Sequence, residues 1–326
     1  MLLRLYKYGH PITILITIVM GVLLWLPTLL NPNWAPVVTE GTQLYSQLSA
    51  LCFSNIHQAQ IAALVLVLVE SVIVQRMNMH HMITESQSTL PQFFYVFAMA
   101  MFTPFCDVLP VAIANFFLIV ALNYALNSDI QQYNQMGRFF LSGFWLGLGV
   151  LFYTPTFVLV VLLMFACLQL RYFNLRELVS PIIGVVVPIG FYFYYLFMTD
   201  QTSVFVNEFA SLAINRNIHL NLTLPVIIAG GFLLLKVIVA IMIGQRSLSF
   251  SKVITRKYYS VEMCTILLVA LAFFIVPSAS YSCLLLAAFG LAFIMATYIN
   301  GLNTKFWSEM LFLIVIAAAL VVVIYY

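Results

Sequence analysis

The stretch Ile12–Leu30, ITILITIVMGVLLWLPTLL, holds no charged side chain, and its length approaches the roughly 20 apolar residues that cross a hydrocarbon core as a helix. Arg4 and Lys7 precede it and Asn31-Pro32-Asn33-Trp34 follows, with no small-residue cleavage site between. A retained first span is therefore expected, not a removable signal peptide. Comparable apolar runs recur at 57–75, 91–105, 108–126, 139–153, 156–170, 179–198, 223–243, 261–277, 281–299 and 306–326. The expected fold is an all-α polytopic transmembrane bundle of about eleven membrane segments. Several are short and come in pairs broken by Pro104 and Pro110, by Pro155 and by Pro277, as tight helical hairpins or re-entrant dips.

Composition agrees. Of 326 residues, 64% are hydrophobic and 7% charged, and the mean hydropathy is +1.07. Soluble domains carry about 45–50% apolar and about 25% charged residues, so the solvent for most of this surface is lipid. A cytosolic enzyme, a nucleic-acid-binding module and a disordered chain are excluded, and the partner implied first is the bilayer. The reading is one integral membrane domain over 1–326 with no appended soluble domain. Five scattered cysteines, without CxxC or Cys/His spacing, suggest buried thiols and neither a disulfide framework nor a zinc site. No cofactor or metal is implied.

The net charge of +3 conceals a sidedness. With the N-terminus inside and the C-terminus outside, every Lys and Arg except Arg216 and Lys236 falls on the inner side, as the positive-inside rule requires. The location expected is a cell inner (plasma) membrane. The outer side is acidic, with Glu40, Asp107, Asp200 and Glu208. Its two long loops, 31–56 and 199–222, carry Leu44, Leu48 and Leu51, and Phe205, Phe209 and Leu212, at helical spacing, the pattern of two outer interfacial helices.

Charges are few enough to weigh singly. Glu40 precedes the first interfacial helix, whose start can hold a carboxylate; Asp107 sits in a turn between Pro104 and Pro110. As a pair they can serve general acid–base chemistry or bind a divalent cation, or stand apart as a helix-start acid and a turn acid. Arg216, with His219, can bind the phosphate of a lipid-linked substrate bidentately, or pair locally with Glu208 or Asp200. His57 opens the second span as a substrate contact or a hydrogen-bonded interfacial residue. Within the membrane stand Glu70 and Lys236, functional suspects by position, although a lysine can snorkel to the interface. Gly143, Gly147 and Gly149 fit small-residue helix packing and not a phosphate loop.

Gly9-His10-Pro11 with Leu24-Trp25-Leu26-Pro27, the run from Arg76 to Thr89-Leu90-Pro91, and the run Gly143 to Pro155 together resemble a family of bacterial inner-membrane proteins of unknown function. More loosely, the chain resembles the GT-C class of polytopic glycosyltransferases, whose first outer loop carries an essential acid before an interfacial helix. That resemblance implies Glu40 as the acid and Arg216 as the donor-phosphate contact, with glycosyl or repeat-unit transfer onto an envelope substrate. A transporter or flippase relying on the Pro-broken helices and Lys236, and a non-catalytic subunit with envelope protein partners, are the other expectations.

Overall fold

The computed structural model describes residues 2–30, 41–53, 55–84, 87–101, 107–127, 135–170, 175–214, 238, 240–242, 244, 252–276, 281–301 and 309–310. Among them the regular elements are helical and no strand forms. In chain order they are α1 (Leu2–Lys7), α2 (Pro11–Leu30), α3 (Gln43–Cys52), α4 (Ile56–His81), α5 (Leu90–Ala100), α6 (Val108–Leu126), α7 (Gln135–Phe152), a 3-10 turn (Thr154–Leu159) leading into α8 (Val160–Leu170), α9 (Leu175–Met198), α10 (Thr202–Ile214), α11 (Val253–Ile275), α12 (Tyr281–Leu285) and α13 (Ala288–Gly301).

Five of these, α2, α4, α6, α9 and α11, are long and apolar enough to cross a membrane, which marks the chain as a membrane protein. Their outward faces agree. On α2, Ile12, Leu15, Val19, Val22, Leu23, Leu26 and Leu30 are exposed along one stripe, and Val179, Ile183 and Val186 repeat the pattern on α9. Large apolar stripes of this kind are unfavourable against water and matched by lipid.

The centre is filled by two short helices that are buried on nearly all sides. Leu90–Phe97, Met99 and Ala100 of α5 are buried, and so is most of α13. The 11 residues of α5 reach only about 16 Å, short of a full crossing. It packs against α2, α4 and α13, and α13 in turn packs against α11.

Glycine sets the closest approach between long helices. A Cβ on Gly143 would stand 2.1 Å from the Pro181 carbonyl oxygen, and one on Gly184 would stand 2.2 Å from that of Phe140, so α7 and α9 touch backbone to backbone. Gly147 faces Pro188 and Val185 on the same side, whereas Gly149 turns toward Ala114 of α6. The expected small-residue packing is thus present and shared between two partners. Gly9 is needed differently: its φ is +66°, and a Cβ there would meet the Gln87 carbonyl oxygen at 2.1 Å. Beside it, the Thr89 amide donates to the Tyr6 carbonyl at 2.9 Å, and the Thr13 and Thr89 hydroxyls lie 2.7 Å apart. The Gly9-His10-Pro11 and Thr89-Leu90-Pro91 segments therefore lock onto each other.

Several expected boundaries shift. Residues 281–299, read as one segment, are two helices, α12 and α13. α4 runs on to His81, past the expected end at 75, because Gln75 and Asn78 bury their amides against Ser88 instead of ending the span. Cys167 and Cys283 are buried as expected, but Cys52 is exposed at the end of α3. Segments 223–243 and 306–326 lie almost wholly outside the described residues.

The two ends of the bundle differ in charge. At one, basic side chains reach the final carbonyls of other helices: Lys7 Nζ donates to Asn300 O at 3.1 Å, Arg138 Nη1 to Asn127 O at 2.6 Å and Lys257 Nζ to Leu170 O at 3.4 Å. A cation there satisfies carbonyls left without an intrahelical donor and complements the helix dipole. At the other end stand Asp107, Asp200, Glu208 and α3.

Candidate functional site at the acidic end

α3 is the focus of the acidic end. Thr42 caps it, accepting from the Tyr45 amide at 3.3 Å and donating its hydroxyl to the Leu151 carbonyl, while the Thr42 amide donates to Phe152 O at 3.4 Å. The start of α3 is thereby seated on the end of α7. An uncapped first turn would leave backbone donors unsatisfied, and a side-chain cap stabilises it by about 1 kcal/mol.

Two carboxylates close on the same short helix. The Gln43 amide donates to Glu208 Oε1 at 2.5 Å, and the Tyr192 hydroxyl donates to Glu208 Oε2 at 3.2 Å. The Gln43 side-chain amide also donates to Gln201 Oε1 at 3.3 Å. Glu208 thus joins α10 to α9 and sets a negative charge at the N-terminus of α3, where the helix dipole favours it. On the flank, the buried Tyr45 donates its hydroxyl to Asp107 Oδ2 at 3.0 Å, while Asp107 Oδ1 caps α6 by accepting from the Leu109 amide at 3.2 Å.

Of the residues expected to act together, Asp107 is part of this arrangement. His57 lies exposed in the first turn of α4, and no hydrogen bond joins it to Asp107 or Glu208. Glu40, two positions before Thr42, lies outside the described residues, as do Arg216, His219 and Lys236. Tyr45 and Glu208 enter the site unforeseen. Tyr45 lies about a quarter turn around α3 from the Leu44, Leu48 and Leu51 spacing, and Glu208 accepts from a backbone amide 165 positions away in sequence. Among the described residues, no group of three or more His, Cys, Asp or Glu is arranged to hold a metal ion.

Burial pushes the Asp107 carboxyl above its ordinary 3.8; the hydrogen bonds from Tyr45 and the Leu109 amide oppose that shift without cancelling it. Burial first, and the Asp107 charge second, raise the Tyr45 phenol as well. The folded protein therefore holds the Asp107 proton more tightly than the unfolded chain does. Its contribution is fully present below 3.8 and is lost as pH rises through the raised value, beyond which it is flat. Asp107→Asn is expected to remove that slope. The check is the difference in melting temperature between the native protein and the variant across acid pH in lipid nanodiscs; a constant difference would refute it.

Away from this end, Glu70 is fully buried, and Tyr95 of α5 donates its hydroxyl to Glu70 Oε2 at 2.7 Å. With α4 ending at His81, Glu70 lies about 16 Å along the helix from that end. A second acid was not singled out from sequence. Glu262 of α11 is fully buried and both its carboxyl oxygens lack a hydrogen-bond partner.

Fold and site together define a polytopic all-helical membrane protein with an acidic end organised on a short capped helix. The chain belongs to a family of unknown function, DUF6427, whose profile matches residues 42–326. No curated protein and no solved structure matches it.

Proposed function

We propose that the protein works at the outer face of a bacterial inner membrane on a lipid-linked envelope substrate, by GT-C-like glycosyl or repeat-unit transfer. In this reading the chain is one integral membrane domain with its basic end in the cytoplasm. The observation that carries the proposal is the convergence of α9, α10 and α6 on the start and flank of α3, directly after Glu40 in sequence. GT-C enzymes place their essential acid before such a helix, and the tethers here give that helix a fixed position. Glu40 accepts the proton of the acceptor hydroxyl as its oxygen bonds to the sugar C1. The bond from C1 to the phosphate oxygen breaks, and the lipid phosphate leaves against Arg216 and His219. Asp107 and Glu208 then act as positioning groups, since each of their carboxylates is already engaged with α3 or its neighbours, and His57 stands as an entry contact.

Glu40→Gln is expected to lower transfer about 10²–10⁴-fold, the usual contribution of a general base, and Arg216→Ala to remove detectable product. The measurement is the lipid-linked and envelope glycan in a deletion strain carrying each variant at normal expression. Product retained by both variants would overturn the reading. A transporter or flippase is the second reading, favoured by fully buried carboxyl groups on the spanning helices α4 and α11. It requires uptake or scrambling by the protein in liposomes.

A further inference from the structure

The seam between α4 and α5 is polar over most of its length. Ser88, Gln92, Tyr95 and Met99 recur at helical spacing along the α5 side, and Asn78, Gln75, Ser71 and Glu70 answer them on α4. The contacts run in order from the basic end inward. Asn78 Nδ2 and Gln75 Nε2 both donate to the Ser88 carbonyl, at 3.0 and 3.2 Å. Gln92 Nε2 lies 3.5 Å from Ser71 Oγ, and Tyr95 donates to Glu70 at 2.7 Å. One turn further, Asn115 Nδ2 of α6 donates to Leu285 O at 3.0 Å and lies 3.7 Å from Met99 Sδ. At the mouth, Asn300 Nδ2 donates to Ser88 Oγ at 3.1 Å, and Lys7 Nζ donates to the Asn300 carbonyl.

What remains unmatched along this line is of one kind. Gln75 Oε1, Gln92 Oε1, Glu70 Oε1 and Asn115 Oδ1 are all buried acceptors without a donor. Each side chain's other polar group is engaged within the seam or at its edge. A buried acceptor left alone costs about 1–3 kcal/mol, so four along one seam call for donors. A single cation cannot supply them. From Ser88 to Met99 the α5 backbone rises roughly 16 Å, whereas a cation's oxygen ligands gather within about 2.6 Å of it. Water suits the spacing, because each molecule donates twice and needs two to four polar partners.

We propose that the α4–α5 seam holds a file of water that carries protons between the basic end of the bundle and the carboxyl of Glu70. The ligand is the proton, and Glu70 is its binding site. Tyr95 is the titratable side chain facing Glu70: α2, packed on α4, has none, and Tyr124 of α6 lies beside Asn123 at the level of His81. Protons hop between adjacent waters and amide oxygens, so no net bond is made beyond transfer of the proton to and from Glu70. The path is independent of whether the acidic end performs transfer, and its test does not use glycan product.

Glu262 supplies the internal standard, since it is equally buried but has no polar partner on its carboxyl. Infrared difference spectra of the full chain in lipid nanodiscs, taken while H2O is replaced by D2O across a series of pH values, read the carboxyl C=O bands. Glu70→Gln and Glu262→Gln assign the two bands. The Glu70 band is expected to shift on deuteration at least about tenfold faster than the Glu262 band, whose exchange waits on opening of the bundle. Gln92→Leu and, separately, Gln75→Leu are expected to slow the Glu70 band alone. Equal rates for the two acids, or a Glu70 rate unaffected by both leucine variants, would overturn the proposal. So would a Glu70 band that shifts on adding sodium chloride in place of potassium chloride at constant pH, which would make the seam a cation site.

Discussion

Gly143→Ala is expected to unfold the α7–α9 contact even though it adds a single methyl group. The added Cβ would stand 2.1 Å from the Pro181 carbonyl oxygen and 2.8 Å from two further backbone atoms of Pro181. Backbone on one side and backbone on the other leave no flexible side chain to give way. Relief requires the two helices to part along the interface that Gly147 and Gly184 also share. Overpacking in a core costs about 1–3 kcal/mol, and more where the backbone must move. The expected loss here is about 3 kcal/mol, seen as a lower melting temperature and a smaller monodisperse fraction in mild detergent. Gly190→Ala on the same α9 is the matched control. A Cβ there meets nothing within 4 Å, and alanine in a helix interior is favoured over glycine by up to about 1 kcal/mol. Equal melting temperatures for the two variants would contradict the close packing.

This contact also shows how much of the molecule was legible beforehand. The spacing of Gly143 and Gly147 announced a close helix partner but not which one, because the small residues that answer them lie some forty positions away on α9. Membrane class followed from composition, since burial of so much apolar surface is a property of the whole chain. The short helices α3 and α10 were legible from Leu44, Leu48 and Leu51 and from Phe205 and Phe209, all at local spacing. Helix ends were harder. Gln75 and Asn78 look like the close of a span, yet α4 continues because Ser88 satisfies their amides, and Ser88 becomes a partner only once the hairpin has formed. The same applies to the acids. Asp107 could be read as anchored from its position between two prolines, whereas its pairing with Tyr45 joins separate elements and has no local signature. The polar seam had a signal that went unused: Ser88, Gln92 and Tyr95 recur at helical spacing within an otherwise apolar run.

Glu262→Met is expected to stabilise the protein. Glu262 lies about 13 Å into α11 from Val253. Its carboxyl is fully buried and neither oxygen has a hydrogen-bond partner, so folding removes its water without replacement. Methionine has nearly the same length, fills irregular space through three rotatable bonds and presents no polar group to desolvate. Removing the penalty of an unsatisfied group is worth about 1–3 kcal/mol, read as a higher melting temperature in nanodiscs. Glu70→Met should move the other way. There the Tyr95 hydroxyl would lose its acceptor while remaining fully buried, turning a satisfied donor into an unsatisfied one. The opposite signs follow from one difference between two equally buried acids, the presence of a hydrogen-bonded partner. If both substitutions destabilise, Glu262 is held by an interaction that methionine cannot make, and the account of it as an unsatisfied carboxyl fails. If Glu262→Met stabilises but impairs the protein's activity in cells, the acid is retained for function at the expense of stability, the usual relation at a working site.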